Sequence, residues 1–381
     1  MKVIKFFSII LVFVMLAPLS VSALEIKSVT LDLNVKSAVL MDANTGTVLY
    51  SHNMNESLPP ASVTKVMTLL LIFEAIDNGL LKYEEMVTVS ENAASMGGSQ
   101  VFLEPGESMS VHELLKCVVV SSANDAAVTL AERVGGSEEA FVQMMNKRAK
   151  ELGMENSYFE NVTGLDDDTE NHLTSAYDIA LMSRELLKHE KVTEYTTIWM
   201  DTIRNGEFGL SNTNRLVKYY KGATGLKTGY TSEAGFCLSA SAKRGELHLI
   251  SVVMGAKSSN ERNIAASKLL DFGFASYCIY NDKASELGAL KVLNGKSTEV
   301  KIGSAGYSAL ENIGNELNVT KEQILNETVT APVKKGDNVG KIVYKSNGKI
   351  IGEAPVVALE DVEEMTFFDY FVKVFKNFVL N

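Results

Sequence analysis

Between residues 35 and 50 two apolar-rich runs flank Asp42-Ala43-Asn44-Thr45-Gly46, the pattern of a two-stranded hairpin. The chain then changes period. Over residues 62–76, 111–134, 137–152 and 175–187 the apolar positions recur at helical spacing, and residues 66–76 are apolar on nearly every side, which predicts a buried central helix. Strand patterns return over residues 225–255, where residues 236–242 and 247–254 flank the turn Lys243-Arg244-Gly245-Glu246, and a last helix is predicted over 262–272. Strands at both ends with helices between them predict an α/β (α+β) sandwich: an antiparallel sheet whose first and last strands are neighbours, covered by helices.

Beyond Tyr280 short strands alternate with Asn294-Gly295, Lys335-Gly336 and Asn347-Gly348 turns, which reads as a small all-β domain. The two ends differ from both domains. Lys2 and Lys5, an apolar stretch over residues 6–16 and the small-residue ending Val21-Ser22-Ala23 predict a signal peptide over residues 1–23. Near the C-terminus Phe367, Phe368, Phe371, Val372, Phe375, Phe378 and Val379 share one helical face, with Asp369, Lys373, Lys376 and Asn377 toward the other. A helix of this length reaches only about 24 Å, short of a hydrocarbon core of about 30 Å, so it should lie in a membrane interface and not cross it. The predicted division is a catalytic domain over 24–280, a β-rich domain over 281–360 and an amphipathic membrane anchor over 361–381. The β-rich domain would be a spacer.

A net charge of −11 on 381 residues argues against a nucleic-acid partner, because phosphate binding needs a concentrated basic face. Cys117, Cys237 and Cys278 are too few for a disulfide framework, and Cys117 and Cys237 fall in apolar runs as small core residues. The five histidines show no paired metal-ligand spacing and are expected at the surface or at caps, so no metal or other cofactor is expected.

A serine hydroxyl is a poor nucleophile until a base stands beside it, and a helix supplies one three residues on. Pro59-Pro60-Ala61-Ser62-Val63-Thr64-Lys65 has this spacing, with the prolines placing Ser62 in a first turn whose free N–H groups can stabilise an oxyanion. The same spacing in Ser346-Asn347-Gly348-Lys349 spans a hairpin turn, with no helix N-terminus beside its serine. Two further clusters single out Ser62. Ser121-Ser122-Ala123-Asn124-Asp125-Ala126 lies in a helix-to-loop region, and Lys227-Thr228-Gly229 precedes a strand; together they offer a proton relay, amide contacts and a glycine at which a substrate backbone can approach.

The set Ser62-x-x-Lys65, Ser122-x-Asn124 and Lys227-Thr228-Gly229 resembles the three motifs of penicillin-binding proteins and serine β-lactamases. The surrounding residues, including Asn161-Val162-Thr163-Gly164-Leu165 and 262–272, resemble the low-molecular-mass D-alanyl-D-alanine carboxypeptidases over nearly the whole mature chain. The resemblance implies an acyl-enzyme on Ser62, with Lys65 as base, kept neutral by Lys227, and Ser122 as proton relay. It also implies an oxyanion hole from the N–H groups of Ser62 and Tyr230, Asn124 on the acyl side, and Thr228 with Arg262 on the substrate carboxylate. Arg262 is expected to open its helix. Ala123 stands where many members have glycine. The implied partners are a peptidoglycan pentapeptide as substrate, β-lactams as covalent inhibitors and a membrane surface. The implied location is the outer face of the cytoplasmic membrane.

Two alternatives bear on the same residues. A class A β-lactamase needs a deacylating glutamate in a Glu-x-x-x-Asn pattern, and the nearest analogue, Asp167-Asp168-Thr169-Glu170-Asn171, has the wrong acid. A catalytically silent wall-binding protein should have lost Ser62, Lys65 or Lys227, and all three are present.

Overall fold

The computed structural model describes residues 26, 29–166 and 169–379, so the segment read as a signal peptide, together with Asp167 and Asp168, lies outside the described residues. These divide into two compact units, Ile26–Cys278 and a second beginning at Ile279.

In the first unit the hairpin pattern forms β1 (Ser37–Asp42) and β2 (Val48–His52). The Asp42 carboxylate closes the turn, accepting from the Thr45 N–H and hydroxyl at 2.8 and 2.7 Å. Three later strands, β3 (Ala223–Thr231), β4 (Gly235–Arg244) and β5 (Leu247–Ala256), complete a five-stranded sheet in the order β2-β1-β5-β4-β3. All pairings are antiparallel, and the first and last strands in sequence, β1 and β5, are neighbours. β3 is an edge strand.

The helical section contains α1 (Lys65–Asp77), α2 (Val111–Val120), α3 (Asn124–Gly135), α4 (Glu138–Glu151) and α5 (Ala176–Leu186), and α6 (Ser259–Ser276) follows the sheet. Alternation along the strands assigns their two faces. Val39, Met41, Ile250, Val252 and Met254 join the core built around α1, while Leu40 and Leu249 pack on α6 at Gly273, where a Cβ would stand 3.0 and 2.5 Å from their methyl carbons. From Lys65 through Phe73 every residue of α1 is buried.

Three local expectations change. The run 111–134 is two helices, because Ser122 takes a left-handed conformation (φ 63°) between them. Lys227-Thr228-Gly229 lies inside β3 and not before it, with these residues opposite Ser239, Leu238 and Cys237 of β4. Arg262 does not open its helix: Ser258 caps α6 by accepting from the Glu261 N–H at 3.1 Å, so the helix starts at Ser259 and Arg262 sits in its first turn.

The second unit holds a six-stranded sheet in the order Val319–Leu325, Asn338–Ser346, Lys349–Ala358, Glu299–Ser304, Ser285–Leu293, Thr328–Thr330. Val300, Ile302, Val339, Tyr344 and Val356 form its core. Asn347 and Gly348 have φ of 48° and 78° in a two-residue turn, and Ser346 points its hydroxyl at Glu311 (3.4 Å). Ser346 thus stands in a sheet and not at a helix start. Helix α7 (Phe367–Val379) closes the chain, with Phe367, Phe368, Phe371, Val374 and Phe375 exposed. Among the described residues no helix is long and apolar enough to cross a membrane.

Candidate active site

The Pro59-Pro60 entry delivers the chain into a 3₁₀ turn, Ala61–Thr64, which runs into α1 at Lys65. Ala61 is held at φ 49°, a strained value for a residue with a Cβ, immediately before Ser62. Lys65 Nζ is 2.9 Å from Ser62 Oγ and donates to the Thr163 carbonyl at 2.8 Å. The amine is fully buried, and its pKa is lowered well below 10.5 by that burial first and by the charge of Lys227 second, with Asp125 opposing. Burial therefore outranks Lys227 as the cause of the lowered pKa.

A second Ser–Lys pair faces the first. The strained backbone of Ser122 aims its hydroxyl at Lys227 Nζ, which donates to it at 2.8 Å and to the Thr228 carbonyl at 3.0 Å. Burial and the nearby Arg262 bring the Lys227 pKa down to about 7. Asn124, buried at the start of α3, donates through Nδ2 to the Gly97 carbonyl at 2.7 Å. Its Oδ1 is buried without a partner among the described residues, an acceptor ready for an amide N–H. Behind it the fully buried Asp125 accepts from the N–H groups of Val101 and Leu103 at 3.0 and 3.1 Å, which fixes the loop covering Asn124.

Gly229 has a steric reason to be glycine within the protein itself. A Cβ there would stand 2.7 Å from the Pro60 carbonyl and 3.0 Å from the amide nitrogens of Ser62 and Val63, so it is the nucleophile's own turn that needs the space. Tyr230 is exposed, with its ring against Phe236 at 4.3 Å. Thr228 shares its hydroxyl with Thr213 at 2.6 Å. Arg262 is 5% exposed and sits 5.9 Å from the Phe236 ring. Its hydrogen bonds go to Asn263 and Ser259 at 3.2 and 3.3 Å, and among the described residues no carboxylate pairs with it. Burial lowers its pKa to about 10.

Sequence reasoning overlooked Thr213, Asp125 and the Thr163 carbonyl. Thr163 lies in Asn161-Val162-Thr163-Gly164-Leu165, where the Asn161 side chain binds the N–H groups of Thr163 and Gly164 at 3.1 and 2.7 Å, a turn that its Asn and Gly could have signalled. The histidine expectation also fails for His172, which is buried and bonded to Thr64 Oγ1 at 2.7 Å. The cysteine expectation holds for Cys117 and Cys237, buried thiols pushed up to about 12 and about 11.

A serine beside a buried lysine whose pKa is pushed well below its ordinary value, opposite a second Ser–Lys pair and along an open strand edge, defines a serine acyl-transfer hydrolase of the penicillin-interacting type. A model of the D-alanyl-D-alanine carboxypeptidase family matches residues 24–258, and one of the penicillin-binding protein 5 C-terminal domain matches residues 280–364. The chain belongs to the D-alanyl-D-alanine carboxypeptidase family and is a serine-type peptidase. It is 47% identical over 342 residues to the Bacillus subtilis D-alanyl-D-alanine carboxypeptidase DacF, covering 88% of this chain and 87% of that protein. Penicillin-binding protein 5 from Haemophilus influenzae superposes with a TM-score of 0.72 at 32% identity, over 89% of this chain and 100% of that one. The ampicillin-bound form of penicillin-binding protein D2 from Listeria monocytogenes has a TM-score of 0.59 at 33% identity, over 65% of this chain and all (100%) of its own.

The Ser62–Lys65 contact predicts that incubation with benzylpenicillin adds one ligand mass, mapped by peptide analysis to Ser62. Lys65→Arg should acylate about 100-fold more slowly or worse, because a guanidinium keeps its proton at any accessible pH. A label on Ser122 or Ser346, or a near-native rate in Lys65→Arg, would contradict this assignment.

Proposed function

We propose that the protein removes the terminal D-alanine from peptidoglycan pentapeptides through a Ser62 acyl-enzyme, and that β-lactams acylate the same serine. Lys65 takes the Ser62 proton as Oγ attacks the penultimate D-alanine carbonyl. The N–H groups of Ser62 and Tyr230 hold the oxyanion, and Asn124 holds the acyl side. As the C–N bond breaks, Ser122, bridged to Lys227, passes a proton to the departing D-alanine amine. Water then cleaves the ester and returns Ser62 to its hydroxyl form.

Arg262 carries the choice of a carboxypeptidase. The two Ser–Lys pairs would serve any acyl transfer, but a guanidinium that is 5% exposed with no carboxylate among the described residues is a buried cation without its counter-charge. A free terminal carboxylate bound between Arg262 and Thr228 would supply it. The influence of Arg262 on the Lys227 pKa supports its placement on this side of the site.

We further propose export to the outer face of the cytoplasmic membrane, with residues 1–23 as the signal peptide, 24–280 as the catalytic domain and 281–360 as a spacer. The anchor would be α7, within the predicted 361–381 segment. Support comes from its run of exposed Phe367, Phe368, Phe371 and Phe375, which is suited to a lipid interface. Residues before it belong to the β-rich unit, since the Met365 N–H donates to the Asn294 carbonyl at 2.8 Å.

Arg262→Ala should lower kcat/KM by about 30-fold, or about 2 kcal/mol, on a peptide ending in free D-Ala-D-Ala. The loss should be far smaller on the same peptide with an amidated terminus; equal losses on both would assign Arg262 to packing. Truncation after Thr366 should abolish co-sedimentation with anionic lipid vesicles while activity on a soluble peptide is retained. Continued sedimentation would place the anchor elsewhere, and lost activity would mean that α7 supports the catalytic unit.

A further inference from the structure

We propose that His172 is a positioning residue for acyl transfer: through its Nε2–H bond to Thr64 and its bond with the Glu160 N–H it ties residues 160–164 to the nucleophile's turn, and so holds the Thr163 carbonyl on the Lys65 amine. The inference rests on the reading of Lys65 as the base.

The paired backbones of Tyr158 and Leu173 form a neck, with bonds of 2.9 and 3.1 Å. Inside the neck the Glu160 backbone N–H donates to His172 Nδ1 at 3.0 Å. An amide N–H can only donate, so Nδ1 carries no proton and the ring's hydrogen is on Nε2, facing Thr64 Oγ1 at 2.7 Å. The ring packs edge-on against Phe159, with centroids 5.7 Å apart. Burial pushes its pKa down to about 4, so this one tautomer persists at neutral pH.

Thr64 immediately precedes Lys65, and Thr163 immediately precedes Gly164, which is pressed on the same turn. A Cβ on Gly164 would stand 1.9 Å from the Ala61 carbonyl oxygen and 2.7 Å from Thr64 Oγ1. These residues therefore meet the Ser62 turn through His172 to Thr64, and the start of α1 through the Thr163 carbonyl to Lys65 (2.8 Å) and the Val162 carbonyl to Thr68 (2.7 Å). A neutral amine has one lone pair. Giving one N–H to Thr163 fixes rotation about the Cε–Nζ bond and leaves the lone pair for the Ser62 hydroxyl. The His172–Thr64 bond is buried, so removing either partner leaves the other without its protein hydrogen bond.

The test is stopped-flow acylation by penicillin, resolved into the dissociation constant of the first complex and the acylation rate constant. The proteins are native, His172→Phe, Thr64→Val, their double variant and His172→Gln. His172→Phe keeps the packing on Phe159 and Thr64→Val keeps the shape, and each should lower the rate constant by about 30-fold with the dissociation constant unchanged. The double variant should be no worse than the poorer single one, since both single changes remove the His172–Thr64 bond and only His172→Phe also takes the acceptor from the Glu160 N–H. His172→Gln, whose amide can still donate to Thr64, should recover most of the loss. The proposal is overturned if Thr64→Val stays within about threefold of native, if the single losses multiply, or if the dissociation constant rises in step with the lost rate, which marks general packing. Failure of the Lys65 reading itself would show separately, as a near-native Lys65→Arg.

Discussion

The site depends on keeping one lysine amine out of water. Lys65 is fully buried beneath Ser62, its amine between a hydroxyl and a carbonyl, and the cation nearest in effect is Lys227. Burial and the Lys227 charge raise the free energy of the protonated form, against a smaller opposing effect of Asp125, and so favour an amine with a lone pair beside the nucleophile. The core built around α1 sustains the arrangement. Because α1 is buried from Lys65 to Phe73, water cannot reach the amine from below, and the Asn161–Leu165 turn covers it from the side.

The cost of assembling this geometry is spread over several strained or crowded positions. Ala61 and Ser122, each adjoining or carrying a reactive hydroxyl, take left-handed backbone angles of 49° and 63°. Such angles cost about 1–3 kcal/mol each and persist only where the surroundings over-determine them. Here the surroundings are Gly229 and Gly164, which let β3 and the covering turn close on Ser62 to distances that a side chain would forbid. Lys227, Thr228 and Gly229 lie on an edge strand, so an extended peptide can be laid along β3 beside Ser62.

Much of this was legible in the sequence. Residues 35–50 and 225–255 announced the strands by apolar-rich runs flanking turn residues, and the all-apolar run after Lys65 announced a buried helix whose first turn carries a Ser–Lys pair. The hairpin turn at Asn347-Gly348 was enough to set Ser346 aside. What stayed hidden was conformational or distant. Residues 121–126 read as a helix-to-loop region, but nothing in Ser122 itself signals a positive φ. The contacts of Lys65 with Thr163 and of Thr64 with His172 join residues 98 and 108 positions apart, and only the folded chain brings them together. Arg262 was recognised, but its place within α6 turned on a Ser258 cap that an apolar pattern does not register.

The central claim is that Lys65 is an unprotonated amine in the resting protein, made so by burial ahead of Lys227. Its titration can be followed directly by NMR of protein labelled at the lysine ε-carbon, with the signal assigned by its absence from Lys65→Arg. The account predicts a midpoint well below 10.5 that stays depressed, though less so, in Lys227→Met, since burial is the larger cause. A Lys65 signal that titrates near 10.5, or one that returns there as soon as Lys227 is removed, would contradict it.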